Sequence, residues 1–559
     1  MRRTALVSIL CSVICLAYFY MLDRVLFSSA HFAPIFHLLL TVYDMQTAWL
    51  AAGVCALAAL WTRSAAILRF VEFLTRHPLG ISLAGTVIIV LGSILVYRNC
   101  PFSMDEYAAV FQSRVFAAGH LSAQFQPGAV DWLIVPGFNG SFLMASHETG
   151  RAIEGYWPGF ALLLAAFALV DMPWLCNAVL GGISIYLIYR ITIEISGDQR
   201  AGGWAILFTL ASGAFLANAI SLYSMQAHLT FNLLFAWLLI RPTRARAIAA
   251  GMVGSFALVL HNPFPHAVFA LPWVFAFAVR RDLRRHFVPL ILGYLPLTVA
   301  LGLGWLMFRS SIVPESHAAQ VSSLAVGVFN WPDARILNMR VAAVAKLWVW
   351  AVPGLFVFAT MGYMRHRGNL HVSLLAQSAA LTFAGYLFVN FDQGHGWGYR
   401  YFQSAWGAVP ILAACAMAAQ PEDQRLASFA GAASILSLLL IVPFQTHQIG
   451  HIISRHLSQL PAPRRPGNNV FLVNPSGGFY VADMIQVDPS LRTPDLLLVS
   501  HGSRRDAEFM RHNWPDATEI ASGPWGQQWY LAPTGKRRSG TPDRDGGGWV
   551  FNSDSSNRP

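Results

Sequence analysis

Residues 80–97 have the sequence GISLAGTVIIVLGSILVY, an unbroken apolar run of helical length. A helix needs about 20 apolar residues to cross the hydrocarbon core of a bilayer, where every backbone polar group must be satisfied within the segment. Comparable runs recur from the N-terminus to about residue 443, for example at 426–443 (LASFAGAASILSLLLIVP). Hydrophobic residues make up 55% of the 559 residues and charged residues 12%, against about 25% charged in soluble domains. The sequence therefore predicts an all-α polytopic membrane protein.

The charge distribution indicates membrane topology and argues against nucleic-acid binding. The net charge is +11, but the arginines lie in short clusters between apolar runs, as in the cytoplasmic loops of multi-pass proteins. A nucleic-acid-binding protein would gather them on one soluble face with interleaved aromatic residues. The six cysteines lie mostly in or beside apolar runs and have neither zinc nor disulfide spacing. We therefore predict no nucleic-acid partner.

Alternation of the basic loops predicts about thirteen spans in a cell (inner) membrane, with a cytoplasmic N-terminus and an extracytoplasmic C-terminal domain. Residues 1–79 hold two spans, the second at about 45–61 because Asp44 would be costly deeper in the bilayer. Residues 157–170 are apolar but short, so we place them on the outer surface as an interfacial or re-entrant helix. The other spans are predicted near 80–97, 174–192, 201–219, 226–240, 247–261, 264–279, 287–307, 341–361, 371–390, 401–419 and 426–443.

The tail after the last span predicts a small extracytoplasmic α/β domain over residues 444–535. PAPRRPGNN (461–469) is typical of a linker. Strands are predicted at VFLVNP, YVADMIQVD, DLLLVS and QQWYLAP, and a helix at SRRDAEFMRHNW. Residues 536–559 are polar and rich in glycine, which predicts a disordered tail.

The outer loop 98–156 begins with adjacent acids, Asp105 and Glu106, directly after a span. One interpretation is an N-cap, because Ser103 precedes them and the first helical turn favours acids. The other is that a carboxylate at the lipid surface acts as a general base on an acceptor hydroxyl. The loop ends at Tyr156-Trp-Pro-Gly, which fits either an aromatic membrane belt or the floor of a groove for a lipid-linked substrate.

Residues 391–401 (FDQGHGWGYRY) combine three glycines with His395, Arg400 and Tyr401. Arginine suits a phosphate through its permanent charge and bidentate geometry, although an arginine at a helix end can also simply snorkel to the membrane surface. His228 and His261 lie at other predicted outer turns. Each is compatible with a structural role, and together they suggest a polar binding region.

The order of these segments resembles the GT-C superfamily of integral-membrane glycosyltransferases, in particular the protein O-mannosyltransferase and lipid A aminoarabinose transferase family. In that family an Asp-Glu pair follows the first core span, Tyr-x-Pro-Gly begins a juxtamembrane helix, and Gly-x-Arg-Tyr opens a late span. The matching segments here are Ser103-Met-Asp-Glu-Tyr107, Phe116-Ala-Ala-Gly-His-Leu121, Tyr156-Trp-Pro-Gly-Phe160 and Gly398-Tyr-Arg-Tyr401. The resemblance covers the predicted core, 80–443, with residues 1–79 as additional spans.

The resemblance implies inverting transfer of a sugar from a polyprenyl-phosphate donor to an extracytoplasmic hydroxyl of a lipid, glycan or protein acceptor. Asp105 would be the base and Arg400 would neutralise the leaving phosphate. Glu106 would orient a loop or bind the acceptor. Further donor- or acceptor-binding candidates are Tyr156, His228, His261, His395 and Tyr401.

The chain also departs from the family pattern. Many relatives have a second acid at the outer start of a later span, where this chain has His228. This departure puts a carboxylate-bound divalent metal in doubt, and the sequence indicates no other cofactor and no metal ligands. Alternative functions are a multi-spanning transporter or flippase, a polysaccharide polymerase or ligase of the cell envelope, and a non-catalytic assembly protein.

Overall fold

The computed structural model describes residues 2–26, 35–61, 65–313, 329–420, 422–463, 468–531, 549 and 551. The chain divides into two compact units. The first comprises Met1–Asn99, Trp174–Gly302 and Ser322–Gly450, and the second comprises Cys100–Pro173, Leu303–Val321 and His451–Pro559. The predicted domain boundaries at 79/80, 443/444 and 535/536 follow a different division and stay predictions.

All helices and strands that the structure describes in the first unit are helices, as long apolar runs in a membrane require. Its helices are Arg2–Met21, Ile35–Leu38, Met45–Leu60, Ala65–Arg76, Pro78–Leu95, Leu175–Ser196, Gln199–Leu210, Gly213–Ile220, Met225–Ile240, Arg244–Leu258, Phe264–Val279, Phe287–Leu297, Ala334–Val349, Leu355–His366, Leu370–Gly385, Ala408–Ala418, Gln424–Leu436 and Val442–Leu457, the last of which continues into the second unit.

Seven helical segments among the described residues are long and apolar enough to cross a membrane, or eight if the bent pair Gln199–Leu210 and Gly213–Ile220 forms one span. Four further apolar helices are shorter: Gly159–Ala168, Met225–Ile240, Phe264–Val279 and Ala408–Ala418. A helical membrane protein is therefore supported, while the count of thirteen spans stays a prediction. The predicted continuous span at 201–219 is instead bent by 64°.

The second span begins earlier than predicted, because Asp44 is accommodated inside it. Helical structure runs from Ile35 to Leu60, and Asp44 is buried. Its carboxylate accepts hydrogen bonds from the Lys346 ammonium (2.6 Å) and the Trp350 indole N–H (2.7 Å). A buried charge is tolerated when it is paired and hydrogen-bonded, so the cost that placed the span after Asp44 does not apply.

Residues 157–170 form the helix Gly159–Ala168. Ten residues at 1.5 Å per residue span about 15 Å, half the thickness of a hydrocarbon core of about 30 Å. The interfacial or re-entrant placement of this helix stays a prediction. The other helices of the second unit are Met104–Ala117, Val130–Leu133, Gly304–Ile312 and Ser503–Asn513.

Among the described residues, the second unit contains two sheets. The smaller has the strand order β1-β3-β2, with β1 Ala123–Gln124, β2 Leu143–Ala145 and β3 Arg151–Glu154. The larger belongs to the tail and has the order β5-β4-β7-β6, with β4 Asn469–Val473, β5 Asp495–Val499, β6 Ala517–Gly523 and β7 Gly526–Leu531. Strands β4 and β5 are parallel, and the other neighbours in both sheets are antiparallel.

Three of the four predicted tail strands and the predicted helix are present. The exception is YVADMIQVD, which forms the short helical turn Val481–Met484. Its apolar alternation has another cause: Val481 on this turn and Ile485 directly after it are buried in a small core beside the sheet. Strand β6 was not predicted, because ATEIASG has little apolar content and five of its positions have no strong strand preference.

Most of the predicted disordered tail, 536–559, lies outside the described residues, as does the centre of the predicted linker. Trp549 and Phe551 are described, and both are buried against Trp514. The Trp549 indole N–H also donates to the Thr493 carbonyl (2.8 Å). At these two positions large aromatic side chains cover an apolar surface, and disorder of the segment stays a prediction.

We expect Lys346→Met to destabilise the first unit strongly, by about 3–5 kcal/mol, because it leaves the buried Asp44 carboxylate without its counter-charge. The double variant Asp44→Asn/Lys346→Met should recover much of this loss, since both charges are then gone. Graded SDS unfolding in mixed micelles measures the effect. Glu72→Gln is the control: its ion pair with Arg76 is on the surface, so the cost should stay below about 1 kcal/mol. An equal loss of stability in Lys346→Met and in the double variant would contradict the assignment.

Candidate active site

Glu106 fixes the start of the helix Met104–Ala117. Its carboxylate accepts hydrogen bonds from the backbone N–H groups of Phe102 (2.7 Å) and Ser103 (3.2 Å). With Ser103 as N-cap, this is a capping box, in which each side chain satisfies a backbone donor of the other residue. Glu106 is fully buried. The N-cap interpretation therefore describes Glu106, and its loop-orienting role is the one the geometry supports.

Asp105 lies one residue earlier and is half-buried. The Tyr156 hydroxyl donates a hydrogen bond to the Asp105 carboxylate, and the Tyr156 carbonyl accepts one from the Trp305 indole (2.9 Å). Two residues 51 positions apart, both predicted from the sequence, are therefore brought together. The phenol therefore orients the carboxylate.

A third acid, Asp483, was not predicted. It lies on the turn Val481–Met484, within a segment that packs on the start of the Met104–Ala117 helix. The Tyr107 hydroxyl donates to the Val487 carbonyl (2.6 Å) and accepts from the Val487 N–H (2.8 Å). The Gln486 amide donates to the Pro101 carbonyl (2.9 Å). Burial, followed by the negative charges of Asp105 and Glu106, raises the pKa of Asp483 to about 8.

Glu154 on β3 is a second unpredicted acid. It is buried, and among the described residues its Oε1 has no hydrogen-bond partner. Burial raises the pKa of Glu154 well above its usual range, and the charge of Arg309 opposes this shift. Its backbone N–H donates to Gln112 Oε1 (3.1 Å). A lone acid within the apolar sequence RAIEGY was the only signal that could have drawn attention to it.

The first unit contains the second group of predicted residues. Arg400 is 5% exposed, and its backbone N–H donates to Gln393 Oε1 (2.9 Å) while its Nε donates to the Gln393 carbonyl (2.9 Å). The guanidinium lies 4.5 Å from the ring centroid of Tyr223 and 5.6 Å from that of Tyr401. This burial differs from the snorkelling alternative, in which the charged end reaches water.

Glycines shape the loop that carries Arg400. Gly396 and Gly398 have φ angles of 125° and 60°, which other residues rarely adopt. The Gln393 amide donates to the Gly398 carbonyl (2.9 Å) and closes the loop. Tyr401 donates to the Asp392 carbonyl (2.8 Å), and His395, between two of the glycines, is mostly buried. Three predicted residues, His395, Arg400 and Tyr401, therefore share one ordered loop.

The predicted histidines His228 and His261 are also buried in the first unit. Among the described residues, neither ring nitrogen of His228 has a hydrogen-bond partner, and its neighbours include His261 and His266. His266 has a structural role, since its ring nitrogens lie 2.7 Å from Asn232 Oδ1 and 2.8 Å from the Tyr294 hydroxyl. An imidazole without partners in a buried setting is costly and marks His228 as a candidate for binding a polar ligand.

An apolar cavity of about 220 Å³ lies in the same unit. Its wall includes Trp350, which packs against the loop of Arg400. The approach to Gly398 is close: a side chain added there would begin 3.5 Å from Trp350 Cβ. The ring centroids of Trp350 and Trp397 are 6.4 Å apart. Its lining is otherwise almost entirely aliphatic, with Gln445 and Thr446 as the polar side chains: Ile88, Ile89, Leu91, Gly92, Leu95, Val96, Gly213, Leu216, Ala217, Ile220, Val442, Gln445, Thr446 and Ile449.

A divalent metal does not fit the donors that the described residues offer. In the described part of the chain, no three His, Cys, Asp or Glu side chains are grouped so that they could hold a metal ion. His228 has histidine neighbours, but the acid that a carboxylate-bound metal would need at that position is absent from the sequence. No metal ligand is therefore assigned.

Comparison with solved structures identifies the fold. ArnT from Cupriavidus metallidurans bound to undecaprenyl phosphate matches with a TM-score of 0.52 and 13% identity, over 81% of this chain and 98% of that one. The apo structure of the same protein matches with a TM-score of 0.50, the same identity and the same coverage. A third match, to the Archaeoglobus fulgidus oligosaccharyltransferase in complex with Zn and sulfate, has a TM-score of 0.39, which is too low to support an argument.

These matches show the class of fold: the chain is folded like ArnT over 81% of its length, and the resemblance predicted from the sequence is confirmed at the level of the fold. No protein-family model matches the sequence, and no curated protein matches it. At 13% identity, likeness of fold does not carry activity with it.

We expect the contribution of Asp483 to stability to fall as the pH rises from about 4 to 8. The folded state keeps a proton on this carboxyl up to its pKa of about 8, whereas the unfolded chain releases it near the ordinary value of 3.8, so alkaline conditions favour unfolding. Asp483→Asn removes this contribution. Its thermal unfolding midpoint in nanodiscs should exceed that of the wild type at pH 8–9, and the difference should shrink towards pH 4.

The exposed Asp516 provides the control. Asp516→Asn should follow the wild-type pH profile. A profile of Asp483→Asn that runs parallel to the wild type at every pH would show that the Asp483 carboxyl is not held protonated.

Proposed function

We propose that this chain is an inverting glycosyltransferase that moves a sugar from a polyprenyl-phosphate donor to an extracytoplasmic hydroxyl of a lipid, glycan or protein. The observation that carries the proposal is the pairing of an apolar cavity with a buried guanidinium. Trp350 lines the cavity and also contacts the glycine loop that carries Arg400. A lipid with an anionic head needs this combination of surfaces, an aliphatic wall for the chain and a fixed cation for the phosphate.

Arg400 would stabilise the leaving group. As the bond between the anomeric carbon and the phosphate oxygen breaks, negative charge grows on the polyprenyl phosphate. A guanidinium that is held in position and shielded from water stabilises such charge with little reorganisation. Its position over Tyr223 and its bonds to Gln393 restrict its motion. The ArnT structure with undecaprenyl phosphate supports a lipid phosphate as the partner of this fold.

Asp105 would act as the base. The acceptor hydroxyl oxygen attacks the anomeric carbon, its proton passes to the Asp105 carboxylate, and the phosphate departs from the opposite face. A single displacement of this kind inverts the configuration at the anomeric carbon. The hydrogen bond from Tyr156 would hold the carboxylate in one orientation, as a general base requires.

The remaining candidates would bind sugar or phosphate oxygens. His228 has two ring nitrogens without partners among the described residues, so it can donate to one oxygen and accept from one hydroxyl. His261, His395 and Tyr401 would complete a polar surface in the same unit. We further propose that the protein lies in the inner membrane with its N-terminus in the cytoplasm, as the basic loops predict.

Transport is the second candidate, and the buried pair of Asp44 and Lys346 is the observation that favours it. Ionisable residues within spans often mark transport pathways. Here, however, the Asp44 carboxylate also accepts from the Trp350 indole, and Asp44 and Lys346 are at most 1% exposed. A carboxylate fixed by two donors and shielded from water is better explained as a structural pair.

We expect Asp105→Asn to reduce sugar transfer by about 10²–10⁴-fold, because the amide cannot take the proton, and to leave the unfolding midpoint nearly unchanged. Wild type and variant would be reconstituted in nanodiscs with radiolabelled polyprenyl-phosphate sugars and an envelope extract as acceptor. Glu106→Gln is the matched control: it should lower the unfolding midpoint through the weakened capping box. Full activity of a folded Asp105→Asn protein, with activity lost in Arg400→Ala, would favour a polymerase or ligase.

Arg400→Lys tests the leaving-group role separately. The lysine keeps the positive charge but lacks the planar fork and the contacts with Tyr223, so we expect a loss of about 10²–10³-fold in turnover. The loss should appear in kcat more than in KM, because charge develops in the transition state. Wild-type turnover in Arg400→Lys would show that a bidentate cation is not needed there.

A further inference from the structure

A polar cavity of about 280 Å³ lies in the tail, apart from every residue assigned above. It occupies the edge of the larger sheet where the parallel strands β4 and β5 end. Adjacent carboxyl ends of parallel strands form a crevice, and ligands bind there in many α/β folds. The lining residues are Asn474, Ser500, Gly502, Ser503, Asp506, Ser522, Gly523, Pro524, Gly526 and Gln527.

Two segments build most of the walls. The chain leaves β5 at Ser500 and enters the helix Ser503–Asn513 through Gly502, which has a φ of 97°. The hairpin between β6 and β7 forms the opposite wall. Its Gly526 has a φ of 126°, and a Cβ there would collide with the Leu472 carbonyl. The positive φ favours glycine at both turns, and at Gly526 the close approach of the Leu472 carbonyl leaves no room for a side chain.

The carboxylate in the cavity is already engaged. The Ser500 hydroxyl donates to Asp506 Oδ2 (2.5 Å), and the His501 N–H donates to Asp506 Oδ1 (2.8 Å). These bonds tie the loop after β5 to the first turn of the helix. Asp506 therefore shapes the wall, and it also places a negative charge where an anionic ligand would be repelled.

Gln527 adds a side-chain amide to the wall of the cavity. The residue is 9% exposed, and its Nε2 donates to Glu519 Oε2 (3.4 Å). The amide therefore joins the serine hydroxyls and the Asn474 amide as a polar group of the lining.

We propose that this cavity binds a neutral saccharide through its hydroxyl groups, as the recognition site for the acceptor glycan. Among the described residues that line it none is lysine or arginine, and the polar groups are hydroxyls, amides and one carboxylate. Such a set offers both hydrogen-bond donors and acceptors, which suits sugar hydroxyls, and it lacks the cation that a phosphate would favour. The inference rests on the proposed function only for the role of the saccharide as acceptor.

The test is binding of the full-length protein, in detergent and without any donor, to an array of neutral and anionic glycans. We expect the wild type to retain at least one neutral oligosaccharide and Ser522→Trp to lose it, by tenfold or more, because the exposed Ser522 borders the cavity and a large ring fills it. Thr518→Trp, on the same strand β6 and outside the cavity, is the matched control and should bind normally. Gln527→Leu should also weaken binding, and Ser522→Trp answers the question if Gln527→Leu does not fold.

Retention of anionic glycans only, of no glycan, or of the same glycans by Ser522→Trp and wild type would overturn the proposal. Because binding is measured without turnover, Asp105→Asn should bind like the wild type. The two proposals can fail separately. If wild type and Asp105→Asn both bind the glycan but the wild type transfers no sugar from any donor, the cavity proposal is supported and the transferase proposal is not.

Discussion

The structure depends on one constraint: within an apolar layer, each backbone N–H and C=O group must find a partner inside the protein. Helices meet this requirement locally, which is why the first unit consists of helices over its long described elements. The requirement also restricts where chemistry can occur. Irregular backbone that can present a side chain is allowed only where other groups satisfy it, as in the loop before Arg400.

That loop shows how the constraint is met. Gln393 supplies both its carbonyl and its side-chain amide, accepting from Arg400 and donating to the Gly398 carbonyl. The Tyr401 hydroxyl satisfies the carbonyl of Asp392. The glycines allow φ values that bring these groups together. The residues that hold the loop are therefore as much part of the candidate site as the arginine, although the sequence draws attention only to the arginine.

The sequence predicted what depends on local pattern. Apolar runs predicted the helices, and the adjacent acids after a span predicted a helix start near Ser103 and the candidate base at Asp105. Contacts between distant positions could not be predicted. Asp44 meets Lys346 across 302 positions, and Val487 meets Tyr107 across 380. Because the sequence does not show these contacts, the second span was predicted to start after Asp44, and Asp483 was not recognised as part of the candidate site. Alternation misled at YVADMIQVD, because a buried turn and a strand can share the same apolar pattern.

The tail is an integral part of the second unit. Val470, Leu472 and Leu498 of its sheet share one core with Phe111 and Trp132 from the outer loop, and Tyr107 on the Met104–Ala117 helix is hydrogen-bonded to Val487. Removing residues 461–559 would expose this core and release the start of the helix that carries Asp105. Loss of activity after such a deletion would therefore be the same whether the tail recognises an acceptor or only supports the helix. Substitutions that leave the core intact are needed to distinguish acceptor recognition by the tail from structural support of the helix. They should be made separately at the cavity and at Asp483.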